Sequence, residues 1–238
     1  MQEFYAARGW KAFPSSHISL PARAETPSNL PSVTMLKSSD LAYLCEADEH
    51  SLLSQISKFE KPAVALIPDL ATISWHHARE EFVANELFGS VPDVKGASVS
   101  TDASIQAWCI WTRVWSSPGD EHGNTLHILR LVVEESDDSV AHDFSPATED
   151  GVASLQSSVA VQAVAALFAA AQKQAAEWDM RTIEFWNPNN VALAAARKLD
   201  ESVKVQARDK ESICSLRWYG KGNGEDVEWA CNEKFAWC

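Results

Sequence analysis

Residues 156–199 read QSSVAVQAVAALFAAAQKQAAEWDMRTIEFWNPNNVALAAARKL, and this stretch decides the fold class. Val161, Val164, Phe168, Ala171, Ala175 and Trp178 recur every three or four positions. That is the spacing of one helix face, so Gln156 to Trp178 is expected to be the longest amphipathic helix. Thr182 to Trp186 then reads as a strand. Asn187-Pro188-Asn189-Asn190 breaks it and caps a second helix to about Leu199, because proline cannot continue a ladder and asparagine satisfies orphan helix amides. The alanines from Ala192 to Ala196 suit a helix packed closely on a sheet.

Working outward, Val203 to Ala207 and Ser212 to Tyr219 read as two further strands, and Gly220, Gly222 and Gly224 as a hairpin turn leading to Val227-Glu228-Trp229. Upstream, Ile105 to Val114 and Thr125 to Glu134 read as strands, with Trp108, Ile110 and Thr112 on one face. Ile73 to Leu87 has helical spacing, Ala63 to Ile67 is a short apolar run expected to be a buried strand, and Ser39-Asp40-Leu41 opens a helix with an acidic cap. The class is α/β, a mixed α+β arrangement around a central mixed sheet.

Pro14, Pro21, Pro27 and Pro31 lie among serines and small residues, a composition that reads as a connector. Ahead of it, Phe4-Tyr5-Ala6-Ala7-Arg8-Gly9-Trp10 looks like a last helical turn closed by a glycine. The expected division is a remnant of a preceding domain over 1–20, a linker over 21–38 and a main domain over 39–238.

A net charge of −13, from 33 acidic and 20 basic residues, excludes phosphate-backbone binding as the main function, since that needs a cationic surface. Nucleic acid is therefore not an expected partner, whereas a cationic substrate is compatible with the field. The cysteines Cys45, Cys109, Cys214, Cys231 and Cys238 are odd in number with no CxxC pair, which fits a reducing compartment. No apolar run has the length of a membrane span, so a cytoplasmic chain without a membrane partner is expected.

The order of elements resembles the GCN5-related acetyltransferase superfold, in which a parallel strand pair splays to admit a pantetheine arm. In that fold a glycine-rich turn before the long helix wraps the pyrophosphate of CoA. Here the corresponding segment, Glu134 to Ser158, holds only Gly151 and has seven acidic residues from Glu134 to Asp150, which repel phosphate. No residue of this chain is therefore expected to bind the cofactor.

Phe4-Tyr5 with Gly9-Trp10, Phe13-Pro14-Ser15-Ser16-His17, Trp75-His76-His77-Ala78-Arg79-Glu80-Glu81-Phe82, Ile128-Leu129-Arg130-Leu131-Val132-Val133, Phe185-Trp186-Asn187-Pro188 and Asn232-Glu233-Lys234-Phe235-Ala236-Trp237-Cys238 together resemble fungal lysine N-acetyltransferases of lysine catabolism. The resemblance implies an acetyl-CoA:L-lysine N6-acetyltransferase with a catalytic first domain and a GCN5-like second domain beside the amino-acid site. This chain then supplies the substrate-side part, with acetyl-CoA as co-substrate of the longer protein and the missing N-terminal domain as its partner. The alternative is a non-catalytic GCN5-like domain that binds another protein.

Tyr5 stands where the superfold's thiolate-protonating tyrosine falls, while the equivalent position in the second unit is Ala196. Packing is the alternative role for Tyr5. The carboxylate of Cys238 is a candidate base or ammonium anchor, by analogy with the doubled fold of myristoyltransferases. For the substrate, Trp75 and Trp186 can wall the aliphatic stem of lysine, with Asn187 beside them, although an indole also simply fills a core. His76 with Glu80, and His77 with Glu81, stand at i and i+4, a spacing that holds an ammonium group or merely ties a helix surface. No third ligand cluster accompanies them, so a metal is not expected.

Overall fold

The computed structural model describes residues 2–101, 106–117, 119, 123–134, 144–155, 158–209, 213–220 and 226–237. Its elements run α1 (Gln2–Ala6), β1 (Lys11–Ala12), β2 (Ser16–Pro21), β3 (Thr34–Lys37), α2 (Leu41–Ile56), β4 (Ala63–Ala65), α3 (Leu70–Phe88), β5 (Val94–Ser100), β6 (Gln106–Val114) and β7 (Thr125–Glu134). The remainder are α4 (Glu149–Leu155), α5 (Val159–Glu177), β8 (Thr182–Trp186), α6 (Asn190–Leu199), β9 (Gln206–Ala207), β10 (Ser215–Leu216) and β11 (Glu228–Ala230), with a 3-10 turn at Lys234–Ala236.

Seven strands form the central sheet in the order β3-β5-β6-β7-β8-β2-β9. Every neighbouring pair is antiparallel except β7 and β8, which run parallel because α5 carries the chain back between them. The expected mixed sheet is therefore present. α5 and α6 cover one face, where Val164, Phe168 and Leu193 meet Ile18, Trp111, Ile128 and Ile183. α2 and α3 cover the other, where Leu41, Leu52 and Ile73 meet Trp108, Ile110 and Leu129. The helix starts follow local chemistry: Asp69 accepts from Thr72 N–H at 2.7 Å, Ser158 from Val161 N–H at 3.1 Å and Asn189 from Ala192 N–H at 2.9 Å.

Several expectations are corrected. Residues 16–20, assigned to the N-terminal remnant, and Pro21, assigned to the linker, together form an interior strand between β8 and β9, and the expected linker over 21–38 also contains β3 of the same sheet. The prolines flank these strands without preventing them: Pro14 precedes β2, Pro21 ends it and Pro31 precedes β3. β4 is half-buried and pairs in parallel with β11, so the expected hairpin into Glu228–Ala230 is replaced by a long-range pairing. β10 leaves the central sheet and pairs with β1. Gly222 and Gly224 lie outside the described residues.

Gly96 marks the closest approach of β5 to β6. A Cβ there would stand 2.3 Å from the carbonyl oxygen of Cys109, a backbone atom that cannot swing aside. Gly96→Ala is expected to cost about 1–3 kcal/mol, the range for forcing an extra carbon into a packed interior. Urea unfolding reads this directly, and an unchanged midpoint would show that the two strands can separate freely.

Candidate functional site

The pairing of β7 with β6 slips by one residue, from Ile110 opposite Arg130 to Trp111 opposite Ile128, leaving Leu129 as a bulge. The slip reverses the alternation along β7. Leu126 and Ile128 face α5, whereas Leu131 and Val133 take up that face beyond the bulge, with Leu129 and Val132 in the α2/α3 core. Arg130 is thereby aimed at α2, where its Nε and Nη2 donate to the two oxygens of Asp48, each at 2.7 Å.

Past the bulge, β7 and β8 part. Their parallel ladder covers Thr125 to Ile128 against Thr182 to Phe185 and goes no further. Leu131 N–H donates instead to Glu233 Oε2 at 3.1 Å, and Arg130 Nη1 donates to Glu233 Oε1. Glu233 belongs to the C-terminal segment that follows β11. This segment is fixed by Asn187 Nδ2, which donates to Asn232 O, and by His76 Nε2, which donates to Phe235 O at 2.9 Å.

Between the parted strands lies a cavity of about 840 Å³. Arg130, Leu131 and Val133 of β7 form one wall, Phe185 and Asn187 the other, and the segment from Val227 to Glu233 closes it. Two edge-to-face aromatic pairs border it, Phe59 with Phe144 and Phe13 with Trp229, at ring separations of 6.3 and 5.0 Å. Its charged lining residues among those described are Arg130, Glu228 and Glu233, so carboxylates outnumber cations.

Burial pushes the Glu233 carboxyl up to about 6, with Asp48 adding to the rise and Arg130 opposing it. An acid whose folded value exceeds its ordinary value near 4.5 stabilises the fold most when protonated. This contribution is fully present below about pH 4.5 and is lost as pH rises through about 6, a difference of about 2 kcal/mol. Glu233→Gln keeps an acceptor for Leu131 N–H and is expected to flatten this part of the stability curve. Thermal melts of both proteins across that window check it, and parallel curves would contradict the assignment.

Of the candidate catalytic and substrate-binding residues named from the sequence, Asn187 is the only one among the described residues that lines the cavity. Its backbone is left-handed at φ 50°, and its Oδ1 accepts from Ser16 N–H at 2.9 Å, so it joins β2, β8 and the C-terminal segment. Trp186 is buried behind the wall, with the Arg208 guanidinium 3.5 Å above its ring and Lys234 Nζ at 4.9 Å.

The structure does not bring Trp75, His76, His77 or Glu80 to the cavity. Trp75 is half exposed on α3. His77 Nε2 donates to Trp111 O at 3.0 Å, and burial lowers both His76 and His77, disfavouring their charged forms. Glu80 accepts from Lys95 at 2.7 Å and from Arg113 Nη1 at 2.8 Å, with all three side chains inaccessible. Among the described residues no group of three or more His, Cys, Asp or Glu is placed to hold a metal ion.

Tyr5 sits exposed on α1, edge-on to Trp10 at 6.3 Å, away from the cavity lining. Cys238 lies outside the described residues. Sequence reasoning missed Asp48, Arg130 and Glu233. The available signal was the arginine inside the apolar run Ile128–Val133, because a charge in a sheet interior requires a partner.

The segment before α5 bears on CoA. Among its described residues, α4 starts with Glu149 and Asp150, and Glu149 is clamped bidentately to Arg197 at 2.6 and 2.9 Å. The α5 N-terminus is capped by its own Ser158 hydroxyl. These residues do not fit a pyrophosphate, which needs free amides in a glycine-rich turn and no competing carboxylates.

A mixed sheet whose parallel pair parts around a cavity, backed by helices on both faces, defines a GCN5-related acetyltransferase-like domain. A family model described as LYC1 GNAT-like C-terminal domain matches residues 17–238, and the chain belongs to that family. No curated protein and no solved structure matches it. Among the described residues no single helix is long and apolar enough to cross a membrane.

Proposed function

We propose that this chain is the substrate-side part of an N-acetyltransferase of the lysine N6 type and that its cavity holds the amine substrate. The observation that carries this reading is the cavity between the parted strands β7 and β8, with aromatic walls and an excess of carboxylates. Such a site complements a cation on an alkyl stem, because aromatic faces and a low-dielectric carboxylate both favour ammonium. L-Lysine has that form.

Acetyl-CoA is the usual donor in this superfamily, and in this reading it is carried by a preceding domain. Tyr5 is the proposed acid for the departing thiolate; it lies exposed outside the cavity lining, so this role requires the preceding domain to hold the sulfur between Tyr5 and the cavity. The donor would supply the activated acetyl group; the part of this chain is to hold and select the substrate as its ammonium, which must shed one proton to solvent before its nitrogen can react.

A second reading is a non-catalytic partner-binding domain. It is favoured by the exposed trio Phe4, Tyr5 and Trp10, which a partner chain would cover.

Titration calorimetry on this chain separates the two. Heat with L-lysine and none with acetyl-CoA is the expected result. Binding of acetyl-CoA to the chain alone would overturn the division of labour, and silence with both would favour the partner domain.

A further inference from the structure

Glu233 is 8% exposed, yet it lines the cavity. Its Oε2 accepts one hydrogen bond from Leu131 N–H, and its Oε1 meets Arg130 Nη1. An ionised carboxylate offers about four acceptor positions, so these two bonds leave acceptor capacity on the cavity wall. The other edge of Arg130 is held bidentately by Asp48. Two carboxylates thus share one guanidinium, and the trio carries one formal negative charge.

The other nearby carboxylates are less suited to a ligand. Asp48 is 3% exposed, has both oxygens on Arg130 and does not line the cavity. Glu228 is exposed, with Lys61 3.7 Å from its carboxylate, so water screens it.

We infer that Glu233 is the specificity-determining residue of the cavity: it accepts a hydrogen bond from the side-chain ammonium of the amine substrate and discriminates against neutral isosteres. This rests on the amine-site reading above and adds the atoms that do the selecting. A buried carboxylate left without its ammonium partner loses a charge-assisted bond, whereas a hydroxyl returns only part of it.

The groups facing Glu233 are Arg130 from β7, Asp48 from α2 and Cys231 from its own segment, with Cys45 on α2 facing Asp48 and His76 of α3 bonded to the same segment at Phe235. Burial raises both thiols, Cys45 to about 12, and lowers His76. The Glu233 carboxyl, pushed up to about 6 by burial, changes its charge between about pH 5 and 7.5.

The test is calorimetric affinity for L-lysine and for 6-hydroxynorleucine, which replaces the ammonium by a hydroxyl, on the full chain and on Glu233→Gln. At about pH 7.5 the unaltered chain is expected to prefer lysine about tenfold or more. The preference should shrink towards unity at about pH 5, where Glu233 is protonated, and in the Gln variant at either pH. Equal binding of the two ligands to the unaltered chain, or a preference that persists unchanged at about pH 5, overturns the role of Glu233 while the amine site stands. Absence of binding by either ligand overturns the amine site itself, and this assignment with it. The pH comparison needs no variant, so a misfolded Gln protein would not block the answer.

Discussion

Arg130→Met is expected to lower the unfolding free energy by about 3–5 kcal/mol near pH 7.5, the range for removing one partner of a buried ionic network. The guanidinium is 2% exposed and is the shared cation of Asp48 and Glu233. Methionine fills a similar volume, so lost packing contributes little. The cost comes from two carboxylates left in a low-dielectric interior with no counter-charge. With a typical domain stability of about 5–15 kcal/mol, such a loss can leave a substantial unfolded population.

The pH dependence identifies the cause. Arg130 opposes the rise of the Glu233 carboxyl, so its loss raises that acid further in the folded state, and an acid with a raised folded value stabilises when protonated and destabilises as pH rises. The deficit of Arg130→Met relative to the unaltered chain should therefore shrink as pH falls towards about 5. Adding Asp48→Asn and Glu233→Gln to the same protein should recover much of the loss at neutral pH. Urea unfolding at the two pH values measures both, and a deficit independent of pH would mean that packing, not charge, carries the effect.

Much of the sheet was legible because it rests on local signals. The period of Val161, Val164 and Phe168 fixed α5, the asparagines around Pro188 fixed the start of α6, and Trp108 and Ile110 do share the α2/α3 face as their alternation implied. The cavity was not legible, since its walls come from Phe13 to Ser16, β7 and the segment after Val227, parts of the chain about two hundred residues apart. Nor does any local pattern announce the bulge at Leu129. Without that slip, Arg130 would share the face of Leu126 and Ile128 and could not reach Asp48.

The α3 residues show a different failure. The i and i+4 spacing of His76 and Glu80 places them on one face but does not say which way the face looks. Ile73 and Ala84 lie on the same stripe and are buried with His76, His77 and Glu80, which marks it as the inward stripe. A polar group on a stripe begun and ended by apolar residues is better read as one half of a buried pair.

Glu80→Ala tests that distinction. If Glu80 met substrate, its loss would weaken lysine binding and leave the fold intact. In the structure its Oε1 accepts both Arg113 N–H at 2.9 Å and the Arg113 guanidinium at 2.8 Å, and its Oε2 accepts Lys95. Lys95 has a second partner in Glu81 at 2.9 Å, and Arg113 has Gln174 at 2.8 Å, so neither cation is wholly abandoned. Those substitutes are partial: Glu81 is 44% exposed and Gln174 is neutral. The expected loss is about 3 kcal/mol or more, from two buried cations short of a counter-charge and one strand amide short of an acceptor. Glu80→Gln should fall between, since it restores an acceptor for Arg113 N–H but not the charge. Chemical denaturation gives the ranking, and lysine affinity in whatever folded protein remains should be unchanged. Full stability in the alanine variant, or a selective fall in lysine affinity, would return Glu80 to the substrate site.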